Sequence, residues 1–141
     1  MKYLILSTFI YLVGCSPSVK PIVYGEDMCA YCKMVIVDDQ HAAIAVTDKG
    51  KVFKFDAIEC LIPYLQAQPE TSFKLLEVND YEMAGSMIPA ETSFYLITRS
   101  IPSPMGAFLS AFATKDKAIA AQTTHGGELF DWNQVQERLK N

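Results

Sequence analysis

The chain lacks most of what an enzyme or a nucleic-acid-binding protein needs. There is no Gly-x-Ser-x-Gly elbow, no Gly-rich phosphate loop and no His-Glu-x-x-His. Its two histidines, His41 and His125, stand alone. Both read as surface or cap residues, and a basic His125 at a helix C-terminus would suit the helix dipole. The acidic residues fall at positions that read as solvated turns and helix caps, so no nucleophile, base and orienting group assemble. No enzyme is expected. Twelve Lys and Arg against sixteen Asp and Glu give a net charge of -4 with no basic run, which excludes a nucleic-acid footprint. The chain also has no long hydrophobic run. Residues 4–13 are apolar, but about ten residues cannot span a bilayer that takes about twenty.

That short apolar stretch follows a positive start, Met1-Lys2-Tyr3, and ends in Leu12-Val13-Gly14-Cys15. Small residues just before a Cys resemble a bacterial lipobox. The expectation is a signal peptide over 1–14, cut before Cys15, whose lipidated N-terminus anchors the protein to a membrane surface. An ordinary secretory signal cut elsewhere is the alternative. Residues 15–24, rich in Ser and Pro at their start, read as a lipidated tether.

What the chain does have is sulfur, concentrated in Asp27-Met28-Cys29-Ala30-Tyr31-Cys32-Lys33-Met34. Of four cysteines, Cys29, Cys32 and Cys60 remain once Cys15 is set aside. An odd count leaves at least one thiol outside any internal disulfide, although a Cys29–Cys32 bridge is possible in an oxidising compartment. Thioredoxin-type chemistry wants the first Cys at a helix N-terminus, and the residues after Cys32 read as strand instead. Structural zinc wants four ligands, and no second close Cys/His pair exists; Cys60 and a His would complete one only by accident of folding. Copper(I) accepts two or three soft ligands, thioethers included. In a strand, Cys32 and Met34 point to one face, Cys29 joins them through a turn, and Met28 points elsewhere. A further thioether, Met105, sits in a Pro-Met-Gly loop. Cys29, Cys32, Met34 and Met105 are therefore the candidate metal ligands, with copper(I) as the ion. No role is assigned to Met28, His41, Cys60 or His125.

The patterning predicts an α+β fold. Residues 34–37 read as a short strand; 42–47 and 51–55 form a hairpin around Asp48-Lys49-Gly50. Asp56 and Glu59 suggest a capping box for a helix with Ile58, Leu61, Ile62 and Leu65 on its apolar face. Pro63 should kink or weaken that helix, and Cys60 falls roughly opposite its apolar stripe, either exposed or packed against a second layer. A strand over 73–78 follows, then an ambiguous segment over 83–89. Strands over 93–98 and 107–113 lead to a helix from Lys115 to about Thr124, with Thr114 as its N-cap, stopped by Gly126 or Gly127. A strand over 128–130 and a helix capped by Asp131 and Gln134 finish the chain. Strand, strand, helix, strand thus occurs twice, giving two related halves, about 25–80 and 81–141, with antiparallel sheets packed as one compact unit.

Cys-x-x-Cys-x-Met after a lipobox and tether, with Pro-Met-Gly before the last strand–helix–strand–helix unit, resembles the nitrous oxide reductase accessory protein family, NosL. The resemblance covers nearly all of the chain beyond the tether. It implies an exported copper(I)-binding lipoprotein, a metallochaperone of denitrification. Its client would be nitrous oxide reductase, with its copper–sulfide site, or another exported copper enzyme, alongside an ABC-type maturation transporter. Such a lipoprotein would face the periplasm, on the outer membrane or the outer face of the cell membrane. One position departs from the family pattern: where a small residue, often Gly, precedes the Met, this chain has Lys33, expected to face away from the site in a strand.

Overall fold

A computed structural model describes residues 19–140; the expected signal peptide over 1–14 and the expected lipidation site Cys15 lie outside the described residues. Strand β1 (Ala43–Thr47) pairs antiparallel with β2 (Val52–Phe55) and β3 (Phe73–Asn79), and β3 pairs with the short β4 (Met87–Pro89). A second antiparallel sheet places β5 (Phe94–Ile97) between β6 (Leu109–Phe112) and β7 (Glu128–Phe130). Helix α1 (Ile58–Gln66) links β2 to β3, α2 (Lys115–His125) links β6 to β7, and α3 (Trp132–Arg138) closes the chain.

The repeated rhythm in the sequence has a topological counterpart. Each half puts its first strand in the middle, its second on one side and, after a helix, its third on the other: β2-β1-β3 and β6-β5-β7. The halves nevertheless share one core. Ile44, Phe55 and Leu61 from the first half and Tyr95, Leu109 and Val135 from the second belong to a single buried cluster. In β1 both faces are covered, small Ala43 and Ala45 alternating with Ile44 and Val46.

Local signals in the second half behave as chemistry predicts. Thr114 Oγ1 accepts the Lys117 amide to cap α2. Asp131 and Gln134 exchange side-chain-to-amide hydrogen bonds of 2.8 and 2.9 Å, a capping box for α3. Three first-half expectations fail. Residues 34–37 form no strand; a single bridge pairs Met28 with Val35, and of the apolar run only Ile36 is buried while Val37 stands 69% exposed. The N-cap of α1 is Ala57, with no side-chain cap, rather than Asp56. Glu59 turns away from a capping role to reach a distant loop, described below.

His41 is not at the surface. It is buried, with Nδ1 2.9 Å from Asp38 Oδ1 and Nε2 3.2 Å from Ser110 Oγ. The position before β1 carries it against β6, so it joins the two halves with a polar contact. Ser, His and Asp in this order suggest a nucleophilic triad, but Ser110 is wholly buried within β6 and no substrate reaches it. His125 ends α2, as expected, and its carbonyl accepts from Thr98 Oγ1 and Ser100 Oγ.

The turn from α2 into β7 is a close fit. Gly127 has φ +100°, and a Cβ there would lie 2.3 Å from the Ile97 carbonyl oxygen. Gly127→Ala is expected to destabilise the protein by more than about 2 kcal/mol, through backbone strain and overlap together. Urea denaturation should show a lowered midpoint with an unchanged slope.

Candidate metal centre

Residues 25–36 form a narrow loop folded back on itself. Gly25 N donates to Ile36 O, Ile36 N to Asp27 O and Cys29 N to Met34 O, each at 2.8 Å. The tip, Ala30 to Lys33, closes with Lys33 N on Cys29 O at 3.1 Å. Lys33 closes it in the left-handed region, φ +66°. Glycine adopts that conformation without steric cost, whereas other L-residues lose roughly 1–2 kcal/mol. This explains why a small residue suits the position. It also corrects the expectation that Lys33 simply faces away from a strand: its Nζ folds back 2.6 Å onto Ala30 O and closes the turn.

The loop docks on the open edge of β2. Ala30 N donates to Lys54 O at 2.8 Å, and the Lys54 ammonium bonds both the Asp27 carboxylate and Pro21 O. The Lys54 hydrogen bond, with the Val23 amide behind it, holds the Asp27 carboxyl below its usual range. Asp27 is thus a fastening, and its place beside the cysteines follows from that.

The fastening carries Cys29 into the core, where it is 1% exposed. Cys60, on the first turn of α1, is also buried, and Cys32 is partly so. The three Sγ atoms lie within 4.8 Å of one another, and all three thiols are free. A soft ion about 2.3 Å from each sulfur needs sulfurs roughly 4 Å apart in a trigonal plane, so the donor set fits. The sequence brought Cys29 and Cys32 to the site but omitted Cys60. The helical wheel put Cys60 opposite the apolar stripe, yet five consecutive residues from Ile58 to Ile62 are buried, because α1 touches β1 and β2 on one side and β6 on the other.

Met34 and Met105 are not in the core. They are 47% and 40% exposed, and Met28 is more exposed still. Met34 stands on the same loop as the thiols, its carbonyl bonded to the Cys29 amide. Met105 arrives from the second half, on a loop whose amide contacts the residue beside Cys60.

The thiols are not equivalent. A hydrogen bond from Cys60 pulls the Cys29 thiol far below its usual pKa; burial opposes this, and the amides of Asp56, Cys32 and Tyr31 assist. The Cys32 amide approaches Cys29 Sγ at 3.5 Å. Burial raises Cys32, and Cys60 is raised by donating a hydrogen bond to the Cys29 sulfur, by burial and by the neighbouring charge. The cluster therefore loses one proton readily and holds the others, as coupled sites do. Asp56 is buried beside it with Oδ1 unpartnered, and its carboxyl is raised by burial and by the charge on Cys29.

These features weigh against disulfide exchange, although not for the reason the sequence suggested, since no strand follows Cys32. A redox nucleophile must be an accessible thiolate, and here the acidic thiol, Cys29, is buried.

The NosL family model matches residues 22–139. The chain belongs to the NosL family. A relative from Stutzerimonas stutzeri, "Copper-binding lipoprotein NosL", is 27% identical, with 91% of this chain aligned to 75% of the relative. The crystal structure of the copper chaperone NosL from Shewanella denitrificans superposes with a TM-score of 0.71 at 23% identity, over 83% of this chain and 94% of that one. The fold is the NosL fold. Both proteins are named for binding or carrying copper, and neither as an enzyme.

Thiol protons and a soft ion compete for the same sulfurs. Cys29, held low by the hydrogen bond from Cys60, gives up its proton most readily, whereas Cys32 and Cys60 are held high and must each give one up. Affinity of the three-thiol cluster for a soft ion, with copper(I) as the probe, is expected to rise with pH between 6 and 8 by about one to two log units per pH unit. Competition with a pH-insensitive chelator checks this, and a flat profile would mean that Cys29 alone among the thiols binds.

Proposed function

We propose that this NosL protein is a membrane-anchored copper(I) chaperone. The reading rests on one observation, the gathering of Cys29, Cys32 and Cys60 at mutual ligand distance, with one thiol poised as thiolate. Copper(I) is the cargo. It displaces the remaining thiol protons and is held by soft sulfur, and the relatives' names support copper as the ion.

Met34 and Met105 are the half-exposed thioethers through which the ion enters and leaves. A thioether is a neutral and weaker donor than a thiolate, so an incoming ligand replaces it first. An incoming thiolate or imidazole then binds before the last thiolate departs, and copper(I) is never free. Cys29, Cys32, Met34 and Met105 form the ligand set inferred from sequence, to which Cys60 is added.

The lipidated Cys15 and the tether behind it would hold residues 25–141 at a membrane facing the periplasm or the cell exterior. No helix among the described residues is long and apolar enough to cross a membrane. The client is an exported copper enzyme, with the copper–sulfide site of nitrous oxide reductase the best match to the family resemblance and an ABC-type transporter as co-worker. Cys15→Ser should abolish incorporation of a labelled fatty acid.

X-ray absorption on the copper(I) form tests the site. Cys29→Ser, Cys32→Ser and Cys60→Ser should each remove one sulfur from the coordination shell and weaken binding by more than about 100-fold. Met34→Leu/Met105→Leu should weaken binding less and slow transfer to an apo-acceptor. Unchanged affinity and sulfur count in Cys60→Ser would overturn the trithiol reading.

A further inference from the structure

Glu59 stands next to Cys60 on the first turn of α1 and is buried. All its hydrogen bonds go to one segment 44 to 50 residues further on. Oε1 accepts from Ser103 Oγ and from Leu109 N at 3.2 Å, and Oε2 accepts from Met105 N at 3.1 Å. Ser103 Oγ in turn accepts from Phe108 N at 2.8 Å. A single carboxylate thus gathers the Pro-Met-Gly loop at both ends and in the middle.

That loop does not hold its shape unaided. Gly106 has φ +78° and Phe108 has φ +61°. Glycine accepts this freely, but a bulky aromatic residue in the left-handed region is a strained exception. Strain of this kind persists only where surrounding contacts enforce it. The hydrogen bonds of Glu59, directly and through Ser103, are the enforcing contacts. A helix-capping role would have turned the same carboxylate to the amide of Asp56; here it reaches across to the other half of the molecule.

We propose that Glu59 is a positioning residue for copper(I) binding: it clamps the strained loop 103–108 against the α1 turn that carries Cys60, so that the Met105 thioether and the Cys60 thiolate are presented to the same ion. The inference rests on the proposed copper(I) site with Met105 as a donor. Cys60 and Met105 come from opposite halves of the fold, and Glu59 is the covalent neighbour of one and the hydrogen-bond partner of the other. A partner that pulls the loop off Glu59 would withdraw the thioether while leaving the buried thiols in place, opening a coordination position for the incoming ligand.

A double-mutant cycle tests this in the full protein. Glu59→Gln keeps the shape of the side chain but turns one acceptor into a donor facing N–H groups. Glu59→Gln and Met105→Leu should each weaken copper(I) binding by about 10-fold, within the range seen when a supporting residue or a weak donor is lost. The double variant should be no worse than the weaker single variant. X-ray absorption of copper-loaded Glu59→Gln should show one thioether sulfur fewer, that of Met105, and retain the thiolate sulfurs. Phe108→Gly, which removes the strain, should restore affinity to Glu59→Gln by letting the loop keep its shape without the clamp.

Losses that multiply in the double variant would overturn the proposal, because Glu59 would then act independently of Met105. So would wild-type binding by Glu59→Gln beside an impaired Met105→Leu. Wild-type affinity and an unchanged sulfur shell in Met105→Leu alone would instead remove Met105 from the ligand set, and the underlying site reading with it. Should Glu59→Gln fail to fold, Ser103→Ala, which breaks the link to Phe108 N and one bond to the carboxylate, replaces it in the same cycle with the same expected pattern.

Discussion

The first turn of α1 has no side that faces water. Ile58, Glu59, Cys60, Leu61 and Ile62 are consecutive and all buried, because one sheet packs on one side of the helix and β6 of the other sheet closes the opposite side. An amphipathic helix would have left two of these positions in solvent. Enclosure places the Cys60 thiol where it can only point inward, towards Cys29, and gives the Glu59 carboxylate no water to bind. Both consequences shape the site. The first creates the acidic thiol, and the second ties the Met105 loop to the helix.

Chemistry of this kind depends on balancing retention against release. In the proposed site, three thiols within 4.8 Å of one another would hold a soft ion firmly, and Cys29 is almost wholly shielded from solvent. A wholly buried site would never give the ion up. On the proposed reading the methionines supply the other half of the balance: a thioether is soft enough to receive copper(I) and weak enough to lose it, and Met34 and Met105 are exposed enough for a partner to reach.

The second half of the fold was legible in the sequence because its signals are local. Thr114, Asp131 and Gln134 cap helices through atoms a few residues away, and alternating runs such as 94–97 mark strands. The first half misled where tertiary contacts override local preference. Met34-Val35-Ile36-Val37 looks like a strand, but the edge of β2 is already taken up with the loop tip, leaving a single bridge. Asp56 and Glu59 look like a capping box, but Glu59 has stronger partners on the far side of the core. The two-cysteine motif was readable because its spacing is short. Cys60 was not, because a helical wheel assumes one buried face. The odd cysteine count was the available hint, since a third thiol that no disulfide within the chain can absorb needs an explanation. His41 was misjudged for the same reason as Cys60: its partner Ser110 is 69 residues away.

The His41 bridge bears on how the halves stay aligned. Two apolar layers can slide across one another at little cost, because contact between greasy surfaces has no direction. A hydrogen bond has direction, and a buried one is costly to lose. Asp38–His41–Ser110 crosses the seam at one point and acts as a dowel, blocking shear between the sheets. Cys29 and Cys60 ride on one side of that seam and the Met105 loop on the other. The alignment of the proposed donors across the seam would therefore be set partly by this polar trio.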